Sequence, residues 1–310
     1  MTDWSVYSIP DCSDTTVVIT GANSGLGFEA TATLARNGAH VIMACRSTDR
    51  AESARKEIEE TVENATLTVR ELDLGSLESV RSFAETVTRE FDQIDILCNN
   101  AGVMAVPWAG TEDGFETQIG VNHLGHFALT GQLLEALTAA PEPRVVTHSS
   151  KMHRRGKIDF EDIHGKERYD RWDAYGQSKL ANLLFAYELD RRYGDAVTSV
   201  ACHPGWAATN LQRRAPEQMG SRFRVGLMKL ANRLIAQPAE EGALPMLYAA
   251  TAPDVEGGDY IGPGGRLQLR GSPEKQRSSS RSYDEADARR LWELSEELTG
   301  VEYDLMKIDV

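Results

Sequence analysis

Tyr175 and Lys179 stand four residues apart within Ala174 to Tyr193, a stretch whose pattern predicts a helix closed by Gly194, so the two side chains share one face. A phenol is a poor base at its ordinary pKa of about 10. An ammonium one helical turn away favours the phenolate, and such a pair suits general acid–base work on a hydroxyl or carbonyl. A second group of residues lies near the N-terminus, where Gly21, Gly25 and Gly27 follow the run Thr16-Val17-Val18-Ile19-Thr20. That run predicts a buried strand, which turns through Ala22-Asn23-Ser24 into a helix bearing Phe28, Ala32, Leu34 and Ala35. Glycines let a backbone approach a ligand without Cβ clashes, and the unpaired N–H groups of a first helical turn attract an anion. The pyrophosphate of a dinucleotide is the natural guest. Taken singly, the Gly-x-x-x-Gly-x-Gly spacing also suits an ordinary strand-to-helix turn, Tyr175 a packed aromatic and Lys179 a solvated charge. The surrounding elements decide between these readings.

Strands and helices alternate along the chain. Strands are predicted at His40–Cys45, Leu67–Leu72, Ile94–Cys98, Arg144–His148, Thr198–Cys202 and Asp259–Gly262, the last being short. Helices are predicted at Thr48–Val62, Leu77–Phe91, Thr111–Leu137 with a break near Gly125 or Gly131, Ala239–Ala250 and Glu285–Leu298. Lys151–Asp173 reads as a polar, exposed insertion and Ser272–Asp284 as a loose Ser/Arg-rich stretch. This alternation predicts one α/β domain built on a doubly wound parallel sheet of about seven strands, spanning 1–310. Ligands of such sheets sit at the C-terminal ends of the strands. Asn99-Asn100-Ala101-Gly102, Ser149-Ser150 and His203-Pro204-Gly205-Trp206 all fall there. Just past the second strand, where an acid would bind the ribose 2′-hydroxyl of NAD, the sequence offers Cys45 and Arg46. A guanidinium suits a 2′-phosphate, which favours NADP, with a solvent-facing arginine as the alternative. Asp73, followed by Leu74, would accept from the adenine amino group; alternatively Asp73 or Ser76 caps the next helix. Gln212–Gln237 carries Phe223, Leu227, Leu230, Leu234 and Ile235 at helical spacing, a lid over the substrate (about 206–238) or a contact in a homo-oligomer.

In order and spacing, Thr20-Gly21-Ala22-Asn23-Ser24-Gly25-Leu26-Gly27, Asn99-Asn100-Ala101-Gly102, Asn122, Ser150, Tyr175-x-x-x-Lys179 and Pro204-Gly205 resemble the short-chain dehydrogenase/reductase family. Ala44-Cys45-Arg46, the insertion after Ser150, Ser178-Lys179-Leu180-Ala181-Asn182 and the tail at 291–298 resemble its retinol-dehydrogenase-like branch. The resemblance implies a Rossmann-type fold and an NADP-dependent oxidoreductase that interconverts an alcohol and a carbonyl. It also implies roles. Tyr175 would be the general acid/base, Lys179 would bind the nicotinamide ribose, Ser150 (rather than Ser149) would hold the substrate oxygen, and Asn122 would hold a water in a proton relay. The cofactor shell carried over comprises Gly21, Ser24, Gly25, Leu26, Gly27, Arg46, Asp73, Leu74, Asn100, Ala101, Gly102, Tyr175, Lys179, Pro204, Gly205 and Thr209. Trp206 and the 223–235 stripe suggest a hydrophobic substrate such as a retinoid, steroid or aliphatic carbonyl. A non-catalytic NADP-binding regulator on the same fold would typically lack the Tyr or Lys. A nucleotide-sugar epimerase or dehydratase would carry a larger C-terminal domain than follows residue 210.

A formal charge of −14 disfavours nucleic acid and anionic lipid as partners. No apolar run reaches the length of a membrane span, and the polar, acidic start from Met1 to Asp14 reads as cytoplasmic. Cys12, Cys45, Cys98 and Cys202 form no metal-spaced pair and are expected to be buried small hydrophobes. The 33 cations divide into 25 Arg and 8 Lys against 47 carboxylates. Many carboxylates with few lysines suit a protein that stays soluble in concentrated salt, where self-repulsion is screened. Dialysis to dilute buffer is therefore expected to cost activity and far-ultraviolet circular dichroism; full retention of both would refute the halophilic reading.

Overall fold

The fold is known from a computed structural model that describes residues 4–205, 238–265 and 268–304. Its strands are β1 (Thr16–Thr20), β2 (His40–Cys45), β3 (Thr66–Glu71), β4 (Ile96–Asn99), β5 (Arg144–His148), β6 (Thr198–Cys202), β7 (Tyr260–Pro263) and β8 (Pro273–Gln276). Its helices are α1 (Gly25–Arg36), α2 (Thr48–Glu59), α3 (Leu77–Glu90), α4 (Thr117–Ile119), α5 (Gly125–Gln132), α6 (Leu134–Thr138), α7 (Arg171–Tyr193), α8 (Ala239–Thr251) and α9 (Glu285–Thr299). One sheet runs in the order β3-β2-β1-β4-β5-β6-β7-β8. Neighbours are parallel except β7 and β8, which are antiparallel.

Strand residues alternate between two cores, as a pleated sheet covered on both faces requires. Val17, Ile19, Val41, Met43, Ile96, Cys98 and Val146 pack against α1, α2 and α8. Val18, Ile42, Leu97 and Val145 pack on the opposite face against α3, α5, α6 and α7. The strand order reverses between β1 and β4, opening a crevice beyond their C-terminal ends. All four cysteines are buried free thiols, as expected.

The tail helix α9 begins at Asp284, whose side chain accepts from Ala286 N and Asp287 N, and ends at Gly300 in the left-handed region. Its Trp292 packs edge-on against Phe127 of α5, 5.1 Å between ring centroids, and Tyr303 lies 4.5 Å from Trp292. The Tyr303 hydroxyl donates to Phe127 O at 2.6 Å. The tail thus braces α5 and α7 from outside.

Three expectations need correction. The stretch Ser272–Asp284, expected to be loose, holds an edge strand: Pro273–Gln276 pairs with β7, the eighth strand of a sheet expected to have about seven. An edge strand needs only one partner, and Tyr187 of α7 holds the segment beyond it by stacking on Tyr283 at 5.1 Å and bonding Ser278 Oγ at 2.8 Å. The helix expected from Thr111 begins at Thr117; Gly110 and Glu116 form a β-bridge around an intervening turn. A π-turn over Gly120–Leu124 follows, and a second interruption falls at Leu133, whose φ of −96° and ψ of 1° leave the helical range. The insertion after Ser150 is anchored as well as polar. Ile158 and Ile163 are buried against Leu180 and Leu184 of α7, a tertiary contact that local polarity hides.

Five histidines, His123, His126, His148, His153 and His203, are at most 4% exposed. Burial lowers their pKa values to about 3 for the first three and about 4 for the last two. Because the folded values lie below the ordinary one, stability is complete above the unfolded pKa of about 6.5 and falls as pH drops toward the folded values. Each histidine then costs about 1.4 kcal/mol per pH unit. Denaturant midpoints are expected to drop steeply between pH 6.5 and pH 4; a flat profile there would show that these rings are not neutral and buried.

Candidate active site

Thr20, the last residue of β1, is fully buried and organises the crevice. Its hydroxyl accepts from Asn100 N at 2.9 Å and Ala101 N at 2.8 Å and contacts His126 Nε2 at 2.9 Å. Asn100 Nδ2 donates to Thr20 O at 2.7 Å. The loop Asn99-Asn100-Ala101-Gly102 is thereby tied to the glycine turn across the sheet. Gly21 and Gly25 have φ of +68° and +56°, values that suit glycine. A Cβ on Gly27 would run into Gly21 O and lie 2.7 Å from Asn100 Nδ2, so the turn can close only around a glycine.

Gly25, Leu26 and Gly27 form the first turn of α1, whose N-cap is Ser24. At four other helices the N-cap side chain accepts from the first turn: Ser76 at α3, Glu116 at α4, Asp170 at α7 and Asp284 at α9. Ser24 makes no such bond, so it does not cap the positive end of α1. An uncapped helix start behind a cradle that a Cβ would fill fits the pyrophosphate of a dinucleotide.

On the adenosine side, Arg46 follows β2 with its side chain 71% exposed, 4.0 Å from Asp73 Oδ2. Asp73 Oδ1 accepts from Gly75 N, and of the two candidates for the cap it is Ser76 that caps α3. Leu74 is buried; its carbonyl oxygen would meet a Cβ on Gly125, which brings the end of β3 close to α5. On the opposite side, Pro204 and Gly205 follow β6, with Gly205 at φ +66° and its N–H donating to His203 Nδ1 at 3.2 Å. Thr209, Trp206 and the stripe from Phe223 to Ile235 lie outside the described residues.

Tyr175 and Lys179 extend from α7 toward the end of β5, and both are buried. Lys179 Nζ donates to His148 O at 2.9 Å and lies 6.0 Å from the centre of the Tyr175 ring. Burial draws the ammonium down to about 8. Ser150 bonds to the Tyr175 phenol, and Ser150 Oγ also accepts from Met152 N at 3.3 Å. Ser149 faces elsewhere: its hydroxyl donates to Lys179 O at 2.7 Å. The expected lowering of the phenol pKa is not met in this state. Burial pushes Tyr175 up to about 12, and the Ser150 bond offsets only part of that.

Asn122 sits inside the π-turn, and both ends of its amide are engaged. Oδ1 accepts from Val103 N at 2.8 Å; Nδ2 donates to Val103 O and to Ser178 Oγ, both at 2.9 Å. The side chain secures the loop after Gly102 to α7. A point at the Cβ position of Gly102 would lie 3.0 Å from Asn122 Oδ1 and 3.6 Å from Lys179 Nζ, so loop, π-turn and ammonium converge there. Supporting residues to which the sequence reading gave no role are Thr20, His126, Ser178 and Asn182, whose Nδ2 shares His148 O with Lys179. Their roles follow from the need of buried polar groups for partners, which spacing along the chain does not show.

Comparison with known proteins agrees with this architecture. A model of the short chain dehydrogenase family matches residues 15–220. Mouse retinol dehydrogenase 14 is 42% identical over 299 residues, 92% of this chain and 86% of its own. Human retinol dehydrogenase 13 is 43% identical over 291 residues, covering 93% and 85%. The crystal structure of an uncharacterized protein from Mycobacterium paratuberculosis superposes with a TM-score of 0.81 at 44% identity, covering 98% of this chain and all of that one. A Shigella flexneri short chain dehydrogenase solved with NADP shares the fold at 20% identity and a TM-score of 0.64, covering 82% and 98%. The chain therefore belongs to the short-chain dehydrogenase/reductase family, in its retinol-dehydrogenase-like branch, and is an NAD(P)-dependent oxidoreductase of alcohols and carbonyls.

Proposed function

We propose that the protein interconverts an apolar alcohol and its carbonyl compound with NADP(H), using Tyr175 as general acid/base. The observation that carries this reading is the convergence of the Ser150 hydroxyl, the Tyr175 phenol and the Lys179 ammonium at the ends of β5 and α7. A bound nicotinamide cofactor supplies or accepts the hydride. The chain's own residues handle the proton and the charge. Ser150 holds the substrate oxygen and stabilises negative charge as it develops there. Tyr175, protonated in its buried setting, delivers its proton to that oxygen in carbonyl reduction and takes it back in alcohol oxidation. The nearby Lys179 ammonium stabilises the phenolate left behind. Asn122 contributes by fixing the loop at Val103 beside this group.

NADP rather than NAD is favoured by Arg46, which is exposed at the end of β2 where no acid stands to meet a 2′-hydroxyl. Its ion pair with Asp73 is solvent-screened and weak, so the guanidinium can turn to a phosphate at little cost. An apolar substrate of retinoid type is supported by the names of the relatives at 42–43% identity.

Tyr175→Phe keeps the ring and removes the proton. Its kcat for carbonyl reduction, followed by NADPH absorbance over a panel that includes retinal and aliphatic aldehydes, is expected to fall about 10²–10⁴-fold. Near wild-type turnover would overturn the assignment. Arg46→Ala is expected to lower kcat/KM for NADPH about 10–100-fold while leaving NADH nearly unchanged. Equal effects on the two cofactors would remove Arg46 from phosphate recognition.

A further inference from the structure

We propose that His153 is a positioning residue that fixes the Ser150 carbonyl, and with it the Ser150 hydroxyl, against the C-terminal segment 277–283; this rests on the reading of Ser150 given above. His153 is 1% exposed and lies in the short helical turn Lys151–Arg154 that follows Ser150. Ser150 O accepts twice from this one residue, from His153 N at 3.0 Å and from ring Nδ1 at 2.6 Å. The opposite ring nitrogen, Nε2, accepts from Ser279 N at 3.1 Å. A backbone N–H can only donate, so Nε2 carries no proton and the ring is the neutral Nδ1–H tautomer. The edge of Tyr260 packs across the ring at 5.6 Å between centroids. Burial and the neighbouring Arg154 and Lys151 disfavour its cation.

The far anchor is itself rigid. Ser278 Oγ bonds Tyr187 OH at 2.8 Å and Ser282 Oγ at 2.6 Å, and Ser278 N donates to Tyr283 OH at 3.2 Å. Arg281 Nη1 donates to Gly156 O at 2.8 Å, closing the segment onto the end of the same turn. Ser150 is thus held on two sides: Met152 N contacts its hydroxyl, and a ring bridged to a distant part of the chain fixes its carbonyl. An oxygen that must meet substrate and phenol together gains from such support, because small displacements of a positioned donor cost rate rather than binding.

The two conservative amides separate the two ring contacts. In His153→Asn the amide N–H replaces Nδ1–H, whereas in His153→Gln the amide oxygen replaces Nε2 and the donor to Ser150 is lost. His153→Gln is expected to lower kcat for retinal or the best aldehyde of the panel about 10–100-fold with KM within threefold, and His153→Asn to recover to within threefold of wild type. Ser150→Ala/His153→Gln is expected to be no slower than Ser150→Ala by more than twofold, since the two act as one unit. Wild-type kcat in His153→Gln, or its full loss added on top of Ser150→Ala, would overturn the proposal. Wild-type kcat in Ser150→Ala would instead overturn the reading of Ser150, and the proposal with it. Nitrogen-15 spectra of the wild-type imidazoles give a check that needs no variant to fold: the Nδ1–H tautomer is expected for His153, and an Nε2–H or cationic ring refutes the bridge.

Discussion

A buried ammonium must be given a partner, and the way Lys179 is given one determines much of the site. Removing a charge from water is costly unless dipoles replace the lost hydration. Here the replacement is the carbonyl of His148 at the end of β5, which also receives Asn182 from the same helix. These two bonds lock α7 to the end of β5. Tyr175 is one helical turn from Lys179, so locking the lysine also sets where the phenol can be. Ser149 adds a third tie by donating to Lys179 O, which leaves the next residue, Ser150, to face the phenol.

The second support is the hydroxyl of Thr20. It joins the glycine turn after β1 to the loop after β4, the two neighbouring strands between which the order reverses. A crevice at a reversal point is a property of the topology, but its shape depends on whether the flanking loops are fixed. Thr20, Asn100 and His126 fix them with short bonds in a buried setting, and Asn122 in the π-turn does the same for the loop after Gly102. Interrupting α-helical bonding at Gly120–Leu124 places Asn122 between that loop and Ser178 of α7.

Around this centre the chain adds braces from its C-terminal third. The tail helix α9 packs an aromatic cluster onto α5 and α7. The segment between β8 and α9 stacks on Tyr187 and reaches His153. Together these contacts hold α7 along its length, so that the position of its buried pair does not depend on the sheet alone.

Periodicity and residue chemistry alone were enough to determine the parallel α/β architecture, with β2, β5 and β6 at their observed limits, and to single out Tyr175, Lys179, the Ser149-Ser150 pair and the glycine turn; the choice of Ser150 within its pair came from the family resemblance. Those features are legible because they are local: strand alternation, a four-residue helical spacing, and glycines where a backbone must turn tightly. Tertiary structure alone decided the rest. A Ser/Arg-rich stretch became an edge strand because β7 and Tyr187 supplied partners, and a polar insertion became anchored because Ile158 and Ile163 met α7. The ionisation of the site was also decided there. Residue types suggest a phenol drawn down by a nearby ammonium, but burial, offset only in part by the Ser150 hydrogen bond, holds Tyr175 up, and burial draws Lys179 down. Desolvation depends on everything that surrounds a group, and no spacing along a chain records it.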